Sequence, residues 1–271
     1  MAEEAKDKLI AELQARNADL DARLAELLGD AELERKERKA LTTAIAHYFS
    51  HPLMIIHTYA GLLAKDSPTF DQEVAAIKEA AEQGIRAKEI FVSYFAEKYY
   101  SFLKYDIRTI IGNILTEKKV ENATTTYYGD TNLDADFDTL NYIIGATIDN
   151  AVRERQDNKG NIHIETRVED VYDAKKKAEI RYMVITISNP GQLLDDHAQP
   201  IAAEADIDDI FLPGYTRDSS NLFGMGLAIA RKYVEGHNGK IKAYNEDKAG
   251  EKRAVVEIML PIEQEIKEKL S

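Results

Sequence analysis

Apolar residues recur at spacings of three and four along the first 45 residues, a pattern typical of a helix that packs along one side. Written as heptads, the pattern places Asn17 on the seam between Leu13 and Leu20, where a buried amide favours a parallel dimer in fixed register. The repeat weakens over residues 31–38 and resumes at Leu41. Residues 1–40 are therefore predicted to form a coiled coil, either a weak one with a solvated middle or one that changes its packing to transmit a signal.

The helical pattern continues from Leu41, breaks at a proline turn near residues 66–69, and resumes from about Phe70 to Phe102. The second stretch has a one-sided apolar face formed by Val74, Ile77, Ala81, Ile85, Ile90 and Phe91. Two long helices joined by a short turn predict an antiparallel hairpin over residues 41–104. A dimer of such hairpins would form a four-helix bundle.

After Tyr105 the pattern changes to strand-like runs separated by helical stretches. In the run 161–168, for example, Ile162 and Ile164 share one face while His163 and Glu165 share the other. Strands are predicted at 123–128, 161–168, 179–188, 240–245 and 254–260, and helices at about 138–156 and 224–236. Residues 105–271 are therefore expected to form an α/β sandwich with a mixed sheet and helices on one face.

Composition narrows the possible functions of the 271-residue chain, whose length leaves room for two folded units. Its 48 acidic and 35 basic residues give a net charge of −13, which argues against nucleic acid or an anionic membrane surface as the main partner. The absence of cysteine excludes disulfides and sulfur-ligated metals. No stretch approaches the roughly 20 apolar residues of a membrane span, so we expect a soluble chain, and the lack of cysteine favours the reducing cytoplasm as its location.

Three segments carry residue types suited to binding a nucleotide. In FGMGLAIA (223–230), a GxG at a loop-to-helix junction allows the backbone to approach a phosphate closely. In ATIDNAVRE (146–154), Asn150 offers a neutral oxygen to a hard cation, and Arg153 could reach a phosphate one turn later. In ISNPGQ (187–192), Asn189 could form a hydrogen bond with the edge of an adenine, and Gly191 would allow the loop to stay close to that base.

In this order and spacing, DNA (149–151), NPG (189–191), FLPGYT (211–216) and GMGLAIA (224–230) resemble the N, G1, F and G2 boxes of the GHKL ATPase superfamily. More narrowly, they resemble the catalytic domain of sensor histidine kinases, and the resemblance covers most of residues 105–261. It implies that the chain binds ATP together with Mg²⁺ beneath a lid at about residues 192–223.

The resemblance also assigns roles to individual residues. Asn150 would hold Mg²⁺, Arg153 would contact phosphate, and Asn189 would replace the usual aspartate that reads the adenine amino group. The phosphates would be bordered by Gly224, Gly226 and Leu227. Gyrase-like or Hsp90-like hydrolysis is disfavoured because Ala146 stands where those enzymes place a water-activating glutamate.

The segment HYFSHPL (47–53) resembles the H box of the same kinases, in which the phosphoacceptor histidine precedes a proline by five residues. That spacing selects His47, and His51 is the rival because it directly follows a serine. The family usually carries an acidic residue after its histidine, and here Tyr48 takes that position. No Asp or Glu occurs anywhere from Leu41 to Ala64. The rate of autophosphorylation and any phosphatase activity therefore stay open.

The resemblance implies a homodimeric sensor histidine kinase that phosphorylates His47 and passes the phosphoryl group to an aspartate of a response-regulator receiver domain. Its stimulus would arrive from an upstream sensor domain or subunit through residues 1–40. The alternative is a catalytically weak or inactive nucleotide-binding scaffold of the same fold. Among the other histidines, His163 is expected to face solvent and His237 to close a helix as a cation favoured by the dipole.

Overall fold

The computed structural model describes residues 33–45, 49–60, 69–95, 98–154, 160–173, 177–193, 207–215, 224–248 and 250–264. Most of the predicted coiled coil, His47 and most of the predicted lid lie outside these residues. The part of the coiled coil that is described, residues 33–40, is helical. None of the helices within the described ranges is long and apolar enough to cross a membrane.

Three helical stretches form the N-terminal part of the described chain, namely α1 (33–45), α2 (49–60) and α3 (Phe70–Phe95). Helix α3 begins directly after Thr69, whose hydroxyl donates a hydrogen bond to the Glu73 carboxylate at 2.8 Å. It ends at Phe95, so the predicted end at Phe102 is wrong. Tyr100 and Phe102, which the sequence pattern assigns to the helix, instead pack on His237.

The C-terminal part contains the predicted mixed sheet, which consists of β2 (Ala123–Tyr127), β4 (Ile162–Asp173), β5 (Ala178–Pro190), β6 (Lys240–Lys248) and β7 (Glu251–Pro261). These strands lie in the order β2-β4-β5-β7-β6. Strand β2 is parallel to β4, and the other pairs are antiparallel. All five predicted strands are present.

A second, two-stranded sheet was not predicted. It pairs β1 (Leu103–Asp106) with β3 (Asn132–Ala135) in antiparallel register, so that Leu103 lies opposite Ala135. Each of these strands is only four residues long, which is too short for apolar alternation to be recognised.

Three helices pack with the large sheet: α4 (Ile107–Glu117), α5 (Phe137–Glu154) and α6 (Gly226–Gly236). Helix α4 was not predicted, although Asp106 caps it by accepting a hydrogen bond from the Arg108 N–H at 3.0 Å. Apolar residues of the helices and strands form one core cluster. Its members include Ile110, Ile114, Leu140, Ile144, Ile148, Ile164, Met183, Ile185 and Ile258. This α/β core confirms the predicted fold of the C-terminal region.

The helical and α/β parts contact each other through a smaller apolar cluster. It consists of the buried residues Ala44, Phe91, Met225 and Ile229. Polar contacts flank it: Lys36 Nζ lies 3.3 Å from an Asp209 carboxylate oxygen, and Lys232 Nζ donates to the Tyr94 carbonyl. Helices α1 and α3 are therefore packed against the start of α6.

Candidate functional site

A pocket of about 450 Å³ lies where α5, the start of α6 and the end of α4 meet, and α3 adds Ile90 to its wall. Residues predicted from separate sequence motifs come together in it: Asn150, Arg153, Gly224, Gly226 and Leu227. The lining also includes Asp149, Tyr215 and Met225 from the same motifs, Ile90 from the apolar face of α3, and residues outside any predicted motif, among them Lys118, Asp138, Tyr142 and Leu193.

The positions of Asn150 and Arg153 along α5 place both residues on the helix face that lines the pocket. Its residues Ile144 and Ile148 are buried in the core. Ala146, Asn150 and Arg153 follow one another at intervals of four and three residues and line the pocket. The same helix thus packs on the sheet through one face and offers an amide and a guanidinium through another.

Close backbone packing explains the glycine at position 224. Gly224 has a φ of +55°, and a Cβ built on it would lie 2.5 Å from the carbonyl carbon of Gly214. The Gly214 N–H donates to the Gly224 carbonyl oxygen at 3.0 Å. Only glycine fits this contact, which brings the two chain segments together beside the pocket.

The start of α6 offers backbone donors to an anion. Its N-cap residue, Met225, makes no side-chain capping hydrogen bond to the helix. The first N–H groups of a helix have no acceptor within the helix, and the dipole makes that end positive. Since Gly226 and Leu227 line the pocket, this helix end is suited to a phosphate group.

Asn189 and Gly191 lie at the end of β5 and its following turn, outside the pocket lining. The Asn189 side chain is buried, and its amide nitrogen donates to the Pro190 carbonyl at 3.2 Å. The Gly191 N–H donates to the Lys252 carbonyl at 3.0 Å. The nearby Leu193 does line the pocket, so this turn adjoins the site.

Of the two candidate phosphoacceptors, His47 lies outside the described residues, whereas His51 is exposed on α2. Pro52, which follows His51, is buried. The assignment of the phosphoacceptor therefore stays a prediction.

The side chains around the pocket carry more negative than positive charge. The carboxylates are those of Glu117, Asp138, Asp149 and Glu154, and the cations are Lys118 and Arg153. Lys118 Nζ lies 2.7 Å from an Asp149 carboxylate oxygen. A polyanion entering this pocket is therefore best accommodated with a metal cation that neutralises part of its charge.

The residues present fit a magnesium ion that arrives with phosphates. No group of three His, Asp or Glu side chains in the described part of the chain is arranged to hold a metal. Mg²⁺ typically takes one or two protein oxygens and completes its shell with phosphate and water. Asn150 offers such an oxygen in the pocket, next to Asp149.

Tyr142 is a pocket residue that motif reasoning missed. Its ring makes an edge-to-face contact with Tyr233, with 5.3 Å between the centroids. Burial, followed by the neighbouring Tyr233 and Asp149, raises the pKa of Tyr142. Its hydroxyl group is therefore protonated at neutral pH and can donate a hydrogen bond. Spacing along α5 could have indicated it, since Tyr142 lies four residues before Ala146.

The chain segment that joins the helical part to the sandwich is anchored at Asp136. The Asp136 carboxylate accepts a hydrogen bond from the Ser101 N–H at 3.1 Å and lies 3.5 Å from Lys98 Nζ. Although burial raises the pKa of Asp136, the hydrogen bonds from Ser101 and Thr139 and the nearby Lys98 lower it overall. Asp136 is therefore held as a carboxylate immediately before α5.

His237 is fully buried beside this anchor, so the expectation of a cationic histidine at the end of α6 is wrong. Tyr100 and Phe102 contact its ring edge-to-face, with centroid distances of 5.2 Å and 5.3 Å. Burial lowers the pKa of His237. This effect is larger than the increase in pKa caused by the hydrogen bond to the Tyr233 carbonyl and by the Asp136 charge. By contrast, His163 is exposed on β4, as expected.

Comparison with known proteins agrees with the resemblance seen in the sequence. The family model described as "Histidine kinase-, DNA gyrase B-, and HSP90-like ATPase" matches residues 135–264. This range contains the N-, G1-, F- and G2-like segments and most of the pocket-lining residues. The GHKL resemblance of the α/β region is confirmed. No curated protein matches the sequence.

Solved histidine kinase structures are similar to this chain at low sequence identity. The Acinetobacter baumannii histidine kinase AdeS matches with a TM-score of 0.51 and 16% identity, over 80% of this chain and 98% of that one. The mycobacterial sensor histidine kinase MprB has a TM-score of 0.45 and 18% identity, over 61% and 100%. Full-length ShkA in complex with AMPPNP has a TM-score of 0.49 and 14% identity, over 84% and 46%.

Proposed function

We propose, from the match of residues 135–264 to the histidine kinase-, DNA gyrase B- and HSP90-like ATPase family model, that the chain is an ATP-dependent protein-histidine kinase. One observation carries the proposal: a single pocket brings together Asn150, Arg153 and the Gly224–Met225–Gly226 turn, and a hairpin helix contributes Ile90 to its wall. A nucleotide bound there lies beside the helical region that holds the candidate phosphoacceptor.

In this proposal the pocket positions ATP through groups of this chain. The N–H groups at the start of α6 and the Arg153 guanidinium bind phosphate oxygens, and Asn150 contributes its amide oxygen to the same pocket. Asn150 would hold Mg²⁺, which neutralises the phosphate oxygens when it is bound. Because Ala146 lines the pocket four residues before Asn150, no carboxylate at that position activates a water molecule.

The reaction transfers one phosphoryl group to a histidine. A neutral imidazole nitrogen of His47 donates its lone pair to the γ-phosphorus, a P–N bond forms, and the bond to the bridging oxygen of ADP breaks. The proton on the other imidazole nitrogen stays on the ring or passes to solvent. A histidine with a pKa near its usual value of about 6.5 is substantially neutral at pH 7, so this nucleophile needs orientation more than deprotonation.

The proposed assembly is a homodimer formed by the hairpin helices. Leu53 and Met54 on α2, and Ile85 and Val92 on α3, are large apolar side chains that stay exposed in the single chain. Burying them against a second copy would complete a four-helix bundle. The phosphoryl group would then pass to an aspartate of a response-regulator receiver domain in the cytoplasm, and residues 1–40 would connect the bundle to an upstream sensor domain or subunit.

The test is incubation of the full chain with Mg²⁺ and γ-labelled ATP. We expect protein-bound label that is stable to base, labile to acid and absent from His47→Ala. His57→Ala is the matched control, because His57 is a further exposed histidine of α2. Label that persists in His47→Ala but disappears in His51→Ala would move the site to His51.

Nucleotide binding is measured separately by calorimetry. Asn150→Ala should weaken Mg·ATP binding, whereas Asn113→Ala, an exposed asparagine of α4 outside the pocket lining, should not. Binding that depends on Asn150 without any phosphohistidine would replace the kinase with the nucleotide-binding scaffold. Absence of binding would contradict both functions.

A further inference from the structure

Lys118 reaches the nucleotide pocket from a different helix than Asn150 and Arg153. It is the C-cap residue of α4 and lines the pocket. Its stem passes over Gly145 of α5, since a Cβ at Gly145 would lie 3.5 Å from Lys118 Cε. Its Nζ atom ends 2.7 Å from a carboxylate oxygen of Asp149, the residue directly before Asn150.

The ion pair between Lys118 and Asp149 lies in the pocket wall, where its net charge affects the binding of a polyanion. The pocket is lined by four carboxylates and two cations, and Lys118 is one of these cations. The side chains of Lys118 and Asp149 are 31% and 41% exposed, so water screens the pair and it adds little to folding stability. Its larger effect falls on a ligand with several negative charges that must pass close to Asp149.

We propose that Lys118 is a positioning residue for nucleotide binding: it pairs with Asp149, so that the phosphates of Mg·ATP meet a neutral pair beside Asn150 instead of a bare carboxylate. This inference rests on the proposed function of the pocket. In this role Lys118 acts through Asp149 and makes no contact with the nucleotide itself.

The first test compares a charged with an uncharged ligand by calorimetry on the full chain. Lys118→Met should raise the Kd of Mg·ATP about three- to tenfold, the size expected for one charge in a partly solvated site, and leave the Kd of adenosine unchanged. Lys119→Met is the matched control. It removes the same charge one residue later, at a position outside the pocket lining, and should bind both ligands like the wild type.

The second test distinguishes pairing with Asp149 from direct contact with phosphate. Asp149→Asn alone should bind Mg·ATP as tightly as the wild type or more tightly. Combining it with Lys118→Met should restore the Kd to within about twofold of the wild type, because the carboxylate that Lys118 neutralises is gone. Since Asp149→Asn keeps the shape of the side chain, it tests the idea even if Lys118→Met folds poorly.

Three results would overturn the inference. The double variant could remain as weak as Lys118→Met, which would mean that Lys118 contacts the phosphates directly. Lys118→Met could bind Mg·ATP like the wild type. Adenosine binding could weaken as much as Mg·ATP binding, which would indicate a change of pocket shape. In each case the wild type still binds Mg·ATP, whereas a wild type without affinity for Mg·ATP overturns the proposed function and this inference together.

Discussion

His237 Nε2 accepts a hydrogen bond from the backbone N–H of Asp136 at 3.2 Å, although 101 positions separate the two residues in sequence. Because Nε2 is an acceptor, the proton of the neutral ring is on Nδ1, which lies 2.7 Å from the Tyr233 carbonyl oxygen. Both ring nitrogens are thus satisfied only in the neutral form. The contact joins the end of α6 to the start of α5 and, through Asp136, to the segment that follows α3.

The neutral state of His237 predicts a loss of stability in mild acid. The lowered pKa in the folded state means that the unfolded chain binds this proton first. The contribution of His237 to the free energy of unfolding is therefore fully present above about pH 6.5 and declines as pH falls below that value. The total loss is about 1.4 kcal/mol for each pH unit by which folding lowers the pKa of His237. Urea denaturation at a series of pH values from about 7.5 to about 5.5 measures it.

His237→Gln should be less stable than the wild type at the upper end of this range, yet lose less stability on acidification. His163→Gln, on the exposed strand face, should keep the wild-type slope. Asp136 also has a lowered pKa, but its contribution is lost only in stronger acid, below its usual value of 3.8. Equal slopes for His237→Gln and the wild type would rule out His237 as the titrating group.

Replacement of Gly224 by alanine should damage the pocket. The positive φ and the 2.5 Å approach of the added Cβ to Gly214 cannot both be accommodated without moving the turn. We expect a loss of at least about 1–3 kcal/mol in stability or local order and a large increase in the Kd of Mg·ATP. Thermal unfolding and calorimetry measure the two effects.

Gly84→Ala provides the opposite control. Gly84 is an interior residue of α3, and nothing described lies within 4 Å of an added Cβ. Alanine there should stabilise the helix by about 0.5–1 kcal/mol and leave nucleotide binding unchanged. Equal effects of the two substitutions would show that the contact between Gly214 and Gly224 has no special role.

Enlarging Ala44 should weaken the packing of α1 and α3 against the α/β part of the chain. Ala44 of α1 is buried against the start of α6, and a Cβ at Gly214 would lie 2.9 Å from the Ala44 Cβ, so there is no room for a larger side chain. Ala44→Leu should cost about 1–3 kcal/mol by overpacking. Hydrogen exchange of α1 and α6 should then increase, whereas Thr43→Leu, at the exposed neighbouring position, should leave exchange unchanged.

Ionic strength should not weaken nucleotide binding. The pocket lining carries four carboxylates and two cations, and the whole chain has a net charge of −13. Salt screens the repulsion between this field and Mg·ATP, so raising NaCl from about 50 to about 300 mM should leave the Kd unchanged or lower it. A steep loss of affinity with salt would indicate that binding depends on cations beyond Lys118 and Arg153.

Regular elements with a clear period could be predicted from the sequence, and contacts between distant residues could not. The five strands of the large sheet are all where alternation or apolar runs placed them. Helix α4 was missed even though its Asp106 cap is visible in the sequence, because its apolar face is short and no motif falls on it.

The end of α3 and the state of His237 were wrongly predicted for the same reason. Tyr100 and Phe102 continue the apolar pattern of α3, so the sequence alone suggests a longer helix. They leave the helix because His237, more than a hundred positions later, offers them a buried ring. Its burial also decides its charge, which no local pattern reveals.

The candidate site was predictable to the extent that its residues lie in motifs. Asn150, Arg153 and the Gly224–Gly226 turn line one pocket, whereas Lys118 and Ile90 come from helices without a recognisable motif. Their presence depends on how α3 and α4 pack, and that packing is a property of the folded chain.

Ile90 forms part of the pocket wall, and Phe91 and Ala44 cover Met225 and Ile229. The boundaries chosen for a truncated protein will therefore change its solubility and its nucleotide affinity. A fragment that begins near residue 98 would keep Asn150 and the turn at Gly224 but expose apolar surface at the first turn of α6. Such a fragment should aggregate more readily, and its nucleotide affinity should differ from that of the longer chain. Domain dissection of this protein should therefore retain α1 and α3.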